Sequence, residues 1–277
     1  DYTGVRNFTI SGELDAATLD ISGNVDIDGV LETDNLTVGG AQGSDGQVLT
    51  STGSGVGWED AASGGASNVN GLSDAKTFGT SSIMIGDATT GTIDAANYNT
   101  GLGVDVFAAL TSGDNNTVLG FSAGNDLTTG AQNAFIGSLA GDATTTGENN
   151  VALGHAALGA NTTADDNVAI GAFSLDANTT GANNTAVGKS ALGANTTGAN
   201  NSAVGTSALA NNTTANRNTA VGRSAMLANT TGAENAALGY NSLTANTEGN
   251  RNVSVGDAAL DANTTGSDNV AIGQQSL

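Results

Sequence analysis

The stretch Asn184-Thr185-Ala186-Val187-Gly188-Lys189-Ser190-Ala191-Leu192-Gly193-Ala194-Asn195-Thr196-Thr197-Gly198-Ala199-Asn200 decides the fold, because the next residues repeat it. Asn201-Ser202-Ala203-Val204-Gly205 opens a second copy, and Asn218-Thr219-Ala220-Val221-Gly222 a third. The period is seventeen residues. Working outward, glycines stand at 86, 103, 120, 137, 154, 171, 188, 205, 222, 239, 256 and 273, twelve copies with no insertion. Positions below are counted from this glycine. Residue −1 is aliphatic in every copy, from Ile85 to Ile272, and residue −4 is Asn from Asn99 to Asn269, with Ser82 the exception. From the fifth copy onward residue +4 is Leu or Met (Leu158 to Leu277), and residue +7 is Asn, followed by Thr.

A unit this short cannot hold a helical pair, which needs about 33 residues or more. It carries no apolar set at helical spacing, and Asn, Gly and Thr are poor helix formers. It suits two short strands and two turns: Asn-Thr-Ala-Val, Gly-x-Ser, Ala-Leu-x-Ala-Asn-Thr, Gly-Ala-Asn. Residues −1 and −3 then share one face of the first strand with Ala at −2 on the other, and Leu +4 shares a face with Ala +6 on the second. Coils stacked about 4.8 Å apart pair every backbone group with the coils above and below. The Asn columns become amide ladders, and glycine at a fixed corner supplies positive φ. The prediction is an all-β solenoid, or β-roll, over residues 82–277. Gly154, Gly171, Gly188, Gly205, Gly222, Gly239 and Gly256 are its structural corners. Asn161, Asn178, Asn195, Asn212, Asn229, Asn246 and Asn263 are ladder residues, although many fall in N-x-[ST] motifs.

Composition agrees. The 277 residues hold 41 Gly, no Pro and no Cys, with aromatics at 4%. Proline would remove a ladder donor, and its absence contrasts with the roughly 14 that average usage gives. Without Cys there are no disulfides and no thiolate chemistry. Six Lys+Arg against 27 Asp+Glu give a net charge of −21, which makes nucleic acid and anionic lipid poor partners. No apolar run is long enough for a membrane span.

Residues 1–40 read differently. Leu19, Ile21, Val25, Ile27, Val30, Leu36 and Val38 alternate with polar residues between Gly12, Gly23, Gly29 and Gly39, as short strands do. One chain buries too little there to stand alone, so this β stalk is expected to intertwine with copies of itself. Residues 41–81 are a Gly/Ser-rich connector with a small folded element around Trp58, which is read as packed at a seam between chains.

The segment Leu19-Asp20-Ile21-Ser22-Gly23-Asn24-Val25-Asp26-Ile27-Asp28-Gly29, with Gly46-Gln47-Val48-Leu49-Thr50 further on, resembles stalk segments of tail-fibre proteins from marine and cyanobacterial phages. The Asn-Thr-Ala-Val-Gly repeats look like the repeat region of the same fibres. They are also similar to head repeats of YadA-type trimeric autotransporter adhesins, whose unit is shorter. The resemblance implies a homotrimer of left-handed parallel β-rolls in an extended spike that attaches a virion to a host surface, or alternatively a bacterial surface adhesin or extracellular filament. A host glycan or protein would be the partner besides the chain itself. The trimer has physical support too: a narrow roll hides only one of the apolar columns −1 and +4, and the other must line an interface.

Chemistry finds few candidates. Glu248, Asp261 and Asp268 are acids in neighbouring coils, the spacing a glycosidase pair needs, but they drift across columns with no aromatic shelf. His155 occupies the variable +1 position. Asp26-Ile27-Asp28-Gly29 falls short of a calcium loop. Adjacent threonines such as Thr162-Thr163 give one Thr column where an ice-binding array needs two. No enzyme, cofactor or metal is expected. The exposed contacts most worth watching are Lys189, Arg223 and Tyr240, all at +1. Phe107, Phe121, Phe135 and Phe173 break the pattern in the early coils and are expected to fill a wider or capping end.

Overall fold

The computed structural model describes residues 37–38, 41–42, 47–51, 56–60, 75–78, 82–85 and 95–277. The chain divides into two compact units, Asp1–Ala62 and Ser63–Leu277. In the first, β1 (Thr37–Val38) pairs antiparallel with β2 (Ala41–Gln42), and β3 (Gln47–Ser51) with β4 (Val56–Asp60), which sets Trp58 opposite Leu49. Of the apolar positions read as stalk strands, all but Val38 lie outside the described residues, as does the Asp26–Gly29 segment.

The second unit is the repeat. Strand β5 (Ala75–Phe78) turns back antiparallel on β6 (Ser82–Ile85). From β6 the strands run parallel, one per coil: β7 (Thr100–Leu102), β8 (Thr117–Leu119), β9 (Ala134–Ile136), β10 (Val151–Leu153), β11 (Val168–Ile170), β12 (Thr185–Val187), β13 (Ser202–Val204), β14 (Thr219–Val221), β15 (Ala236–Leu238), β16 (Val253–Val255) and β17 (Val270–Ile272). Each pairs with its copy seventeen residues away, as Ala186 with Ala203. The fold class is the expected one: a parallel β-solenoid with seventeen-residue coils, and no helix among the described residues.

The interior is narrow. Residue −2 is buried in every described coil, usually Ala, and residues +3 and +4 are buried in the coils from Gly103 to Gly256, whereas in the last coil Ser276 is half-buried and Leu277 exposed. Two amide ladders flank them. At −4, each Asn Oδ1 accepts the backbone N–H of the Asn one coil on, from Asn99 to Asn269 without a break, at 2.9–3.0 Å. At +7, Asn178 Nδ2 donates to Asn161 Oδ1, Asn195 to Asn178, and so on to Asn263. Both ladders also donate to the carbonyl at +10, as Asn184 and Asn195 do to Gly198 O at 2.9 Å. A third column, Thr at +8, donates each hydroxyl to the next coil's Thr carbonyl, from Thr111 to Thr264. Buried polar groups are thus satisfied by their own copies. At the corner glycine, Gly205 has φ 136, and a Cβ there would lie 2.5 Å from Gly222 O.

The expected second strand does not form. Residues +3 and +4 are consecutive and both buried, which the alternation of a strand forbids. Left-handed residues at +2 and +4, such as Ser190 (φ 55) and Leu192 (φ 50), curl the chain so that both side chains point inward. Inter-coil bonding continues through this turn, for instance Leu192 N–H to Ala208 O at 3.0 Å. Ala194, at +6, is accordingly only half-buried while Leu192 is buried. Each left-handed non-glycine residue costs about 1–2 kcal/mol, offset by the inter-coil bonds and the burial of the +4 side chain.

The aromatic residues of the early coils split two ways. Phe107 at +4 and Phe135 at −2 are fully buried, whereas Phe121 and Phe173 are exposed. Phe107 sits against Gly101 and Phe135 against Gly141, the position where other coils carry Leu. The large side chain moves from one column to another and the core volume is kept. In these coils +7 is Leu110, Leu127 and then Thr144, whose buried hydroxyl makes no hydrogen bond.

Candidate functional site

With −2, +3 and +4 inside, the side chains at −1 and −3 lie on the outer face of the sheet, and the apolar column left outside is −1. It runs Leu102, Leu119, Ile136, Leu153, Ile170, Val187, Val204, Val221, Leu238, Val255, Ile272. Leu102 and Leu238 are each 49% exposed and Ile272 72%. Residue −3 adds Val151, Val168, Val253 and Val270 to the same face, interspersed with Thr and Ala. At strand dimensions this band is about 10 Å wide and 50 Å long, on the order of 500 Å², at the upper end of what monomers expose.

Beyond the corner glycine the +1 column begins. His155, Lys189, Thr206, Arg223, Tyr240 and Asp257 are all exposed there. The backbone locks the column in line: the +2 N–H donates to the +1 carbonyl one coil back, Ser207 to Lys189 at 2.9 Å, Ser224 to Thr206 at 3.0 Å and Asn241 to Arg223 at 3.1 Å. Arg223 Cζ lies 5.6 Å from the Tyr240 ring centroid, a cation–π contact. His155 packs edge-on against Phe173, centroids 5.1 Å apart.

The acids do not assemble a catalytic pair. Glu248, Asp261 and Asp268 occupy columns +9, +5 and −5, and Asp268 is held by Arg251 at 2.6 Å. That hydrogen bond, together with the charge of Arg251, holds the Asp268 carboxyl below the usual carboxylate range. Arg217 pairs likewise with Glu234 at 2.9 Å, so the −5 column reads Arg217, Glu234, Arg251, Asp268, alternating in sign. Asp165 accepts the Glu148 backbone N–H at 2.8 Å, a turn-stabilising role. Two acids missed by motif reading face each other across the notch at Gly159: a Cβ there would lie 2.9 Å from Asp176 Oδ1 and 3.5 Å from Asp142 Oδ1. Burial pushes both carboxyls up, with Asp126 and Asp176 adding repulsion at Asp142 and His155 opposing the rise at Asp176. Sorting residues by column, rather than by local motif, exposes both features.

Among the described residues no group of three His, Cys, Asp or Glu is placed to hold a metal. The Thr +8 hydroxyls are committed to carbonyls, which leaves one exposed Thr column at +9, Thr129 through Thr231. The ladder asparagines Asn161, Asn178, Asn195, Asn229 and Asn246 are buried with their amides engaged, and Asn263 is partly buried. No protein-family model, curated protein or solved structure matches the chain.

Proposed function

We propose that the chain is a structural segment of a homotrimeric attachment fibre, a virion tail fibre by its resemblance, packed about a three-fold axis through the −1/−3 face. The observation that carries this reading is the unbroken aliphatic column from Leu102 to Ile272 on the outside of a solenoid whose interior is already full. Burying that band offsets the cost of exposing it, and a rotational interface that closes at three leaves no copy with a free apolar face. A cell-surface adhesin of the YadA-head type would use the same face. The charge of −21 is a poor match for nucleic acid or anionic membrane.

Light scattering after size exclusion tests it. A mass near three times 26.8 kDa is expected, and Val204→Asp with Leu238→Asp on the outer face should dissociate the assembly while leaving each coil folded. A stable 26.8 kDa species from the unaltered chain overturns the proposal.

A further inference from the structure

The chain carries 27 acids, yet residues 177–233 contain none, where an even spread would put about five or six. The same window holds Lys189, Arg217 and Arg223. Arg217 is neutralised by Glu234, but among the described residues neither Lys189 nor Arg223 has an ion-pair partner. Both stand in the +1 column, two coils apart, hence about 9.6 Å along the axis. Thr206 lies between them and Tyr240, 48% exposed, one coil beyond, with Ser190, Ser207, Ser224 and Asn241 alongside at +2. The hydrogen bonds from +2 to +1 make this a rigid rail, and the Tyr240 ring holds the Arg223 guanidinium in place.

From these placements we infer that the rail Lys189–Thr206–Arg223–Tyr240 binds a linear acidic polysaccharide bearing one carboxylate or sulfate on every second sugar. This deepens the attachment reading above and rests on it. Two linked pyranose rings span about two coil heights, so successive acids of such a polymer meet successive cations. The hydroxyls and amide at +2 are matched to sugar hydroxyls, and an exposed Tyr offers a sugar face a stacking surface. The charge of −21 does not forbid this: at physiological salt a field reaches about 8 Å, and the acid nearest in the +1 column, Asp257, lies beyond Tyr240, two coils from Arg223. Arg223, held against Tyr240, also binds with less ordering cost than a free side chain.

The test is calorimetric titration of the full chain in ~0.15 M NaCl with hyaluronan (one carboxylate per disaccharide), kappa-carrageenan (one sulfate per disaccharide) and neutral dextran, with light scattering on the same samples. Saturable binding of hyaluronan or kappa-carrageenan but not dextran is expected. Hyaluronan alone would assign the carboxylate, kappa-carrageenan alone the sulfate. Lys189→Gln and Arg223→Gln should each weaken binding about fivefold, and Arg217→Gln, which removes the same charge from the −5 column, less than about twofold. Binding of neither polyanion, equal binding of dextran, or an Arg217→Gln loss as large as the other two overturns the inference. A monomer that binds keeps the rail and removes the trimer; a trimer that does not bind removes the rail and keeps the trimer.

Discussion

Replacing Asn195 by Leu tests whether the +7 ladder stabilises the solenoid through continuity or through local contacts. The side chain donates to Asn178 Oδ1 at 2.8 Å and to Gly198 O at 2.9 Å, and accepts from Asn212 Nδ2 at 2.9 Å. Leucine is compatible with the column in shape, since Leu110 and Leu127 occupy it in earlier coils. Gly198 O keeps Asn184 and Asn212 Nδ2 keeps Ala215 O, but Asn178 Oδ1 loses its partner inside the core. That orphan costs about 1–3 kcal/mol, and the other two bonds about 1 kcal/mol each. Burying the added apolar surface returns about 1.5 kcal/mol, a net loss of about 1.5–3.5 kcal/mol. Asn161→Leu is the control. Asn161 begins the ladder, so its loss leaves Asn178 Nδ2 still bonded to Gly181 O and Ala164 O still bonded to Asn150. The same arithmetic gives about 0.5 kcal/mol. Because repeat arrays open locally, native-state hydrogen exchange by mass spectrometry is the appropriate readout. Amides in the coils of Gly188 and Gly205 should exchange about 10- to 400-fold faster in the first variant, and those around Gly154 about twofold faster in the second. Equal acceleration in the two variants would refute the ladder argument.

Gly205→Ala meets both a forbidden φ and Gly222 O, and should cost about 3 kcal/mol or more in denaturant titration. Gly198→Ala also presses its Cβ on Ala215 O and Asn195 Oδ1, but it lacks the positive φ of Gly205 and lies in a column that adopts Ala at 164 and 215, so it should cost less, about 1–2 kcal/mol. Phe135→Ala empties the space beside Gly141 and should cost about 3–5 kcal/mol, most of it recovered by adding Gly141→Leu, which restores the pattern of the later coils. For Asp142 and Asp176 burial holds the folded carboxyls above the ordinary Asp value of 3.8, so their contribution to stability is present below that pH and lost as pH rises through the raised values. Asp142→Asn should therefore stabilise at pH 7, with the gain vanishing below about pH 4, as followed by melting temperature across a pH series.

The fold was legible because the residues that repeat are the ones that make the lattice. Gly188 and Asn184 each have one permitted environment, and a period without a slip fixes the register of every strand. The second strand was misread for a physical reason: Ala191-Leu192 has an ordinary strand composition, and only the left-handed turns at Ser190 and Leu192 let both side chains face inward. Leucine in that conformation gives no warning in sequence. The choice between −1 and +4 as the inner column likewise depended on that turn. The Phe135–Gly141 exchange was in plain view, but only as two departures in different columns of one coil.

The division of labour among columns bears on the site. Columns −4, −2, 0, +4 and +7 bond or pack against their own copies, so any change there propagates through neighbouring coils. Columns +1 and −5 contribute backbone bonds but place their side chains outside, where Lys, Thr, Arg, Tyr and Asp are interchangeable for folding. A repeat of this kind can rewrite its +1 column without disturbing its stability, which is the property a surface-recognition rail requires. It follows that Lys189→Gln and Arg223→Gln should leave hydrogen exchange in every coil unchanged while altering polyanion binding. A loss of protection in either variant would show that the column is part of the lattice and not free to specialise.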